Sequence, residues 1–282
     1  MVELLANALS PQRNASAFAE VFRLIIVRRS LVAELARRDM GAAHRRHGLG
    51  HLWIYIHPVL IALIFLFIFG FVLGSRINLP QHFPGDYSSY ILIGLIPWLM
   101  TQAVLLRATS ALTSRANLVK QVVFPIEVLP VSTVISTILP FIPSLLTMVL
   151  YTFVVVGKVP WTLVLLPAVL AMHFALAVGS AYILSSLTVF IRDLHEVMSV
   201  FCLVAMYITP AIYLPDWVPE PFRPFLYLNP FSYLIWVYQD TFFFGEIEHP
   251  EAWIVLAIIS LGSLAGGFRL FKRLAPFFGN VL

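Results

Sequence analysis

WIYIHPVLIALIFLFIFGFVLG, residues Trp53–Gly74, runs for 22 residues without an Asp, Glu, Lys or Arg. As an α-helix it would be about 33 Å long, against a hydrocarbon core of about 30 Å. Length and purity together predict a membrane-crossing helix, and the rest of the chain repeats the pattern. Further spans are predicted at 90–106, 131–156, 161–190, 197–214 and 253–268, six in all. The third contains Pro140 and Pro143, which predict a kink that neighbouring helices must repair. The 282 residues are 60% hydrophobic and 11% charged, with a mean hydropathy of +0.90. Soluble domains sit at about half apolar and about a quarter charged. The fold class is therefore an all-α integral membrane protein.

The basic residues orient it. With both termini in the cytoplasm, the inner segments 1–52, 107–130, the loop at Arg192 and the tail carry 15 Lys and Arg, and the outer segments carry 3. The positive-inside rule favours that arrangement strongly. No cleavable signal is evident: the early apolar patch Val21–Val27 is interrupted by Arg23 and followed by Arg28 and Arg29. The amino terminus is expected to stay in the cytoplasm.

Two regions follow from this, a cytoplasmic and interfacial stretch 1–52 and a six-span domain 53–282. Within the first, Phe18, Val21, Phe22, Ile25, Val32 and Leu35 recur at roughly helical spacing among Glu20, Arg23 and Glu34. This predicts a basic amphipathic helix lying in the membrane interface. His44, His47 and His51 fall on one helical face, but Arg45 and Arg46 lie among them. Headgroup-level basic residues explain them better than a metal site.

Two connecting stretches are too rich to be linkers. Between the second and third spans, 107–130 is short and basic. It carries a locally amphipathic patch, with Leu118, Val119, Val122 and Val123 against Arg115, Asn117, Lys120 and Gln121. It reads as a lever through which a cytoplasmic partner moves the membrane part. The second stretch, 215–245, holds five prolines and eleven aromatic residues, with Leu228-Asn229-Pro230 breaking it in two. Neither half is long enough to cross. Two short helices dipping into the outer leaflet are expected, lining the outer mouth of a pathway, because irregular backbone at that depth must be covered by protein or line a cavity.

What is missing narrows the chemistry. There is no Gly-x-x-x-x-Gly-Lys-Ser/Thr, so the chain has no P-loop and does not hydrolyse ATP itself. Gly-x-Ser-x-Gly is absent as well, and His195-Glu196 does not continue as His-Glu-x-x-His. The single Cys, Cys202, excludes a disulfide framework. The predicted spans contain no Asp, Glu, Lys or Arg, which argues against ion-coupled transport. His173, in the fourth span, reads as a packing residue rather than a proton relay.

Aromatic side chains occupy the space instead. Trp98, Tyr182 and Tyr207 in the spans, and Phe222, Phe225, Tyr227, Phe231, Tyr233 and Trp236 in 215–245, are candidates to line a conduit. Ring faces stack on the C–H faces of sugars without demanding one hydroxyl pattern, and Tyr and Trp add a polar tip. Any one of them has an ordinary alternative, since aromatics gather at bilayer interfaces anyway.

Four pieces in order carry a resemblance. They are Arg38-Asp39 through Arg45-Arg46, Leu49-Gly50, Trp53 and His57-Pro58; Asn117-Leu-Val-Lys120 with Phe124-Pro125 and Pro130; Arg192-Asp193-Leu-His-Glu196; and Asn229-Pro230-Phe-Ser-Tyr233 with Tyr238, Asp240 and Gly245. Together they span nearly the whole chain, which resembles the permease subunits of ABC transporters exporting cell-surface polysaccharides such as O-antigen, capsule and teichoic acid. The pattern departs from that family near His47, where a small hydroxyl residue is common, and near Ile126, where a basic one is.

The resemblance implies a half-transporter. Two copies would form the conduit for a lipid-linked glycan among membrane lipids, with two ATP-binding cassette subunits beneath. Those subunits would carry ATP and Mg, so this chain would bind no cofactor, and no nucleic acid is involved. The segment Ser114–Phe124 would be the coupling helix, with Ser114, Arg115, Asn117, Leu118, Val119, Lys120, Val122 and Phe124 as its contacts. Arg192, Asp193 and Glu196 would add to them, and the two short helices in 215–245 would gate the outer side.

Rivals are a drug or small-lipid ABC permease, an ion-coupled carrier, and a membrane-embedded glycan transferase. The last would draw its acids from Asp86, Asp216, Glu220, Asp240, Glu246, Glu248 or Glu251.

Overall fold

The computed structural model describes residues 11–44, 52–72, 83–120, 124–157 and 160–282. Among them there is no strand. The α-helices are α1 (Pro11–Val27), α2 (Arg29–His44), α3 (Leu52–Leu66), α4 (Tyr87–Ala108), α5 (Ala116–Val119), α6 (Val128–Ile138), α7 (Ile142–Val156), α8 (Leu166–Thr188), α9 (Leu194–Ile208), α10 (Arg223–Leu228), α11 (Pro230–Gln239) and α12 (Pro250–Val281). Among the described residues five stretches are long and apolar enough to cross a membrane: Leu52–Gly70, Tyr87–Ala108, Val128–Val154, Trp161–Thr188 and Pro250–Val281.

Proline chemistry sets several of the boundaries. The third predicted span is α6 and α7 joined by a 3-10 turn, Leu139–Phe141. It falls where Pro140 removes a helical donor. The fifth predicted span, 197–214, is realised as α9, a helix of 15 residues. At 1.5 Å per residue that is about 22 Å, less than a bilayer core. It stops because Thr209 precedes Pro210 and is driven to extended backbone, φ −83° and ψ 144°. The last predicted span, 253–268, is instead one 32-residue helix running through Arg269, Lys272 and Arg273. The amphipathic stretch expected near 18–38 is the pair α1 and α2, with Arg28 between them.

The core forms around α4, 78% of whose apolar window is buried, against 17% for the first span. Asp86 caps α4, its carboxylate accepting from Ser89 N at 3.0 Å and from the Tyr151 hydroxyl of α7 at 2.6 Å. Midway along, Thr101 on α4, His173 on α8 and Tyr238 on α11 form a hydrogen-bonded chain with links of 2.9 and 3.0 Å. His173 is thus a satisfied packing residue, as its sequence setting suggested. The tightest crossing joins α8 and α12. A Cβ on Gly179 would lie 2.4 Å from the Leu264 nitrogen, and one on Gly267 would lie 2.4 Å from the Gly179 oxygen. Only hydrogen fits there, and such close backbone approach is how helices associate in lipid, which supplies no hydrophobic drive between them.

The N-terminal helices are docked rather than free. Ala17, Val21, Val32 and Leu35 are buried in the common core, with α2 against α6 and α1 against α12. Glu20 pairs with Lys272 of α12 at 2.5 Å. Asp39 of α2 pairs with Arg115 beside α5, and Thr109 shares a 2.7 Å hydrogen bond with His195 at the start of α9. These contacts gather α1, α2, the 109–120 turn, the 188–196 turn and the C-terminal part of α12 at one end of the bundle. The opposite end holds α10, α11 and the start of α12.

Candidate functional site

At the basic end, the stretch after α4 does not continue as a regular helix. It turns through a 3-10 segment, Thr113–Arg115, into the four-residue α5. Arg115 fixes this turn at three points. Its guanidinium pairs with the Asp39 carboxylate and donates to the Ala111 carbonyl at 3.0 Å and to the Thr133 hydroxyl of α6 at 3.1 Å. Both partners of the ion pair are mostly shielded, with 15% and 14% of their side chains exposed. The pair therefore operates at lower effective dielectric than a surface pair, and breaking it on one side would leave a poorly solvated charge. Helix α2, the turn before α5 and α6 meet at this one side chain.

The amphipathic patch expected in the loop has a definite facing. Val119 is buried and Leu118 half-buried against the core, whereas Ser114, Asn117 and Lys120 point outward. Phe124 is half-buried; Val122 lies outside the described residues. A cleft of about 850 Å³ runs along this turn, lined by Arg38, Asp39, Arg107, Ser114, Asn117 and Leu118 among others. The second turn lies beside it: Arg192 and His195 line a smaller cleft with Thr109, Ser110 and Thr113. Arg192, Asp193 and Glu196 are all exposed. The described members of the expected coupling set thus share one end of the molecule; Ser114, Asn117, Lys120, Arg192, Asp193 and Glu196 face outward, whereas Arg115 is turned inward to Asp39 and Thr133.

The aromatic candidates divide. Trp98, Tyr182 and Trp236 are fully enclosed and Phe231 is 8% exposed. Trp98 meets Phe231 edge to face at 5.4 Å. Tyr182 sits between Phe268 and Phe271 of α12 and donates its hydroxyl to the Glu127 carbonyl at 3.0 Å. Trp236 contacts Tyr227, Tyr233 and His249, the last ring nearly parallel at 5.4 Å. Tyr233 is half-buried, with its hydroxyl on the Tyr227 carbonyl at 2.7 Å. Tyr207, Phe222, Phe225 and Tyr227 are the open ones, each more than half exposed. The Asn229 break is a helix cap: its side chain accepts from Phe231 N at 3.0 Å and starts α11.

Asp240, named above only within the resemblance and among the acids open to a transferase, has an anchoring role that the sequence reading did not assign. It lies at the end of α11, fully buried, where the helix widens into a π-turn, Asp240–Phe244. Its carboxylate accepts from His249 N at 3.1 Å, from His249 Nδ1 at 2.8 Å and from Trp253 Nε1 at 3.0 Å. Those bonds tie the end of α11 to the start of α12. The short interval from Asp240 to His249 and Trp253 was the available signal. A carboxylate enclosed in this way is a structural anchor and is badly placed to reach a substrate. Asp86, another of the acids a transferase could use, is likewise committed as the cap of α4. Among the described residues no group of three or more His, Cys, Asp or Glu side chains could hold a metal ion. His47 and His51 lie outside the described residues.

The family model described as "ABC-2 type transporter" matches residues 30–243. The chain belongs to this family. Two relatives extend the match to almost the full length. A Myxococcus xanthus protein described as "O-antigen export system permease protein RfbA" is 30% identical, over 86% of this chain and 92% of its own length. A Klebsiella pneumoniae protein of the same description is 27% identical, over 89% of this chain and 95% of its own. This ABC-2 type chain is a transport subunit and a multi-pass protein of the bacterial inner membrane. The matched region runs from α2 to the π-turn after α11 and so includes both clefted turns and most of the aromatic segment 215–245.

Proposed function

We propose that this chain is the membrane subunit of an ATP-driven exporter of a lipid-linked polysaccharide of the O-antigen or capsule type. The observation that carries the reading is the near full-length similarity to two O-antigen export permeases. The clustering of the basic turns at one end supports it, because it presents a partner in the cytoplasm with a single docking platform.

In this reading the Arg115 end is cytoplasmic and both termini lie there. Two copies form the conduit, and two ATP-binding subunits, which hold ATP and Mg, dock against the exposed faces of the 113–120 and 192–196 turns. The chain crosses six times, with α9 as a short fifth crossing completed by the residues that follow it. Helices α10 and α11 re-enter from the outer side as a gate. The glycan passes Tyr207, Phe222, Phe225 and Tyr227, whose open rings stack on sugar faces without choosing among hydroxyl patterns. Trp98, Tyr182, Phe231 and Trp236 hold the wall in shape behind them.

Complementation tests this. The chain and its ATP-binding partner are expressed in a bacterium lacking its own O-antigen permease, and surface glycan is measured by immunoblot. Restored display is the expected result. No display, with efflux of small amphiphiles instead, would assign the chain to a drug or lipid exporter.

A further inference from the structure

At the end opposite Arg115, a cleft of about 370 Å³ opens between the start of α4, the 214–216 turn, α10, α11 and the segment leading into α12. Its charged lining is one-sided. Asp216, Glu246 and Glu248 contribute carboxylates, and among the described residues no Lys or Arg lines it. Arg223 stands 3.9 Å from Asp216 but outside the lining. Glu246 and Glu248 are exposed and make no ion pair among the described residues. His249 also lines the cleft, with its Nδ1 committed to Asp240 at 2.8 Å. Aromatic rings, Tyr227 and Phe244 among them, form the apolar wall.

One donor in that lining lacks an acceptor. Trp236 is 1% exposed, and its indole N–H has no hydrogen-bond partner among the described residues. Leaving a buried donor unpaired is costly, and this one cannot easily turn away. Its ring is stacked on His249 at 5.4 Å and met edge to face by Tyr233, also at 5.4 Å. The cleft therefore combines carboxylates without cations, ring faces, and a fixed N–H in want of an oxygen. Tyr227 belongs to α10, Trp236 to α11 and the two glutamates to the link into α12, so an occupant would brace three pieces of the chain at once.

We propose that this cleft binds a primary ammonium group whose neighbouring carbon carries an oxygen. The ammonium donates to Glu246 and Glu248 in charge-assisted hydrogen bonds and lies against the Tyr227 ring. The neighbouring oxygen accepts from the Trp236 indole N–H. A quaternary ammonium has no proton to give the carboxylates, an acetylated amine has no charge, and a neutral sugar leaves the carboxylates without a cation. Two molecules carry this 2-aminoethyl-oxygen unit at a membrane surface. One is phosphatidylethanolamine, through its headgroup; the other is a 2-amino-2-deoxy sugar within a passing glycan. The site itself stands without the exporter reading, and only the second source rests on it.

The test uses the full chain with its ATP-binding partner in phosphatidylcholine nanodiscs, whose lipid has no primary amine. Glucosamine and glycerophosphoethanolamine are titrated by saturation-transfer NMR, beside N-acetylglucosamine and glycerophosphocholine. The two primary amines should bind roughly tenfold or more tightly than their acetylated and methylated counterparts. E246Q/E248Q changes only exposed side chains, so its melting temperature should match wild type while its affinity for both amines falls roughly tenfold. W236F keeps a ring and loses the N–H, and should weaken both amines about threefold. Absence of amine binding to wild type, equal binding of N-acetylglucosamine or glycerophosphocholine, or wild-type affinity in E246Q/E248Q overturns the proposal. The source is read by repeating the glucosamine titration in nanodiscs that are half phosphatidylethanolamine. Loss of glucosamine binding assigns the cleft to the lipid headgroup, and its retention assigns the cleft to an amino sugar. Complementation is scored separately, so failure of this site leaves the exporter reading standing.

Discussion

Two parts of the bundle are held by opposite means. Helices α8 and α12 cross at Gly179 and Gly267, so closely that a Cβ on either would overlap backbone atoms. The first span has 17% of its window buried and presents Leu60, Leu63, Ile64 and Phe67 outward. The exposed apolar face of α9, with Val200, Leu203 and Tyr207, resembles it. A frame and a loosely held face in one chain suit a machine in which part must stay fixed while part meets a partner or moves. Packed helices behave as units that shift between arrangements rather than deform continuously.

The frame should be the hardest place to alter. Gly179→Leu should give the largest effect, since overpacking costs about 1–3 kcal/mol and more when the obstacle is backbone. Folded protein recovered from membranes should fall sharply; wild-type yield and melting temperature would mean that the crossing is looser than described. Asp240→Ala comes next. It leaves the His249 amide and ring and the Trp253 N–H without their acceptor, at a cost of about 1–3 kcal/mol for such a buried group. The melting temperature should drop, and an unchanged value would remove Asp240 from the frame. Leu63→Ala should be the mildest, within about 0.5 kcal/mol for the single chain because the side chain touches little. If it instead weakens association between copies, the open face is the one that a second copy covers.

The comparison also explains what could be read in advance. The all-helical membrane class and the charge bias follow from composition, which needs no tertiary information, and the breaks at Pro140 and Asn229 follow from local backbone chemistry. Facing does not. Hydropathy through α4 and α8 is nearly uniform, so nothing local tells that Trp98 and Tyr182 turn inward while Tyr207 stays open. Arg115 and Asp39 are 76 positions apart, and no spacing rule links them. The α8–α12 crossing is invisible for the same reason, since a glycine in a span marks close approach only once the opposing helix is known. In the 113–120 turn the amphipathic pattern was legible, but which side docks outward was not: its apolar members Leu118 and Val119 pack toward the bundle.

That facing concentrates the account on one place. If ATP-driven motion enters through the outward polar face of the 113–120 turn, then Asn117→Glu combined with Lys120→Glu should leave the membrane subunit folded, with a melting temperature close to wild type. In the reconstituted complex, ATP hydrolysis should fall to that of the isolated ATP-binding subunit and glycan export should drop at least tenfold. Wild-type hydrolysis and export from that double variant would contradict the central claim.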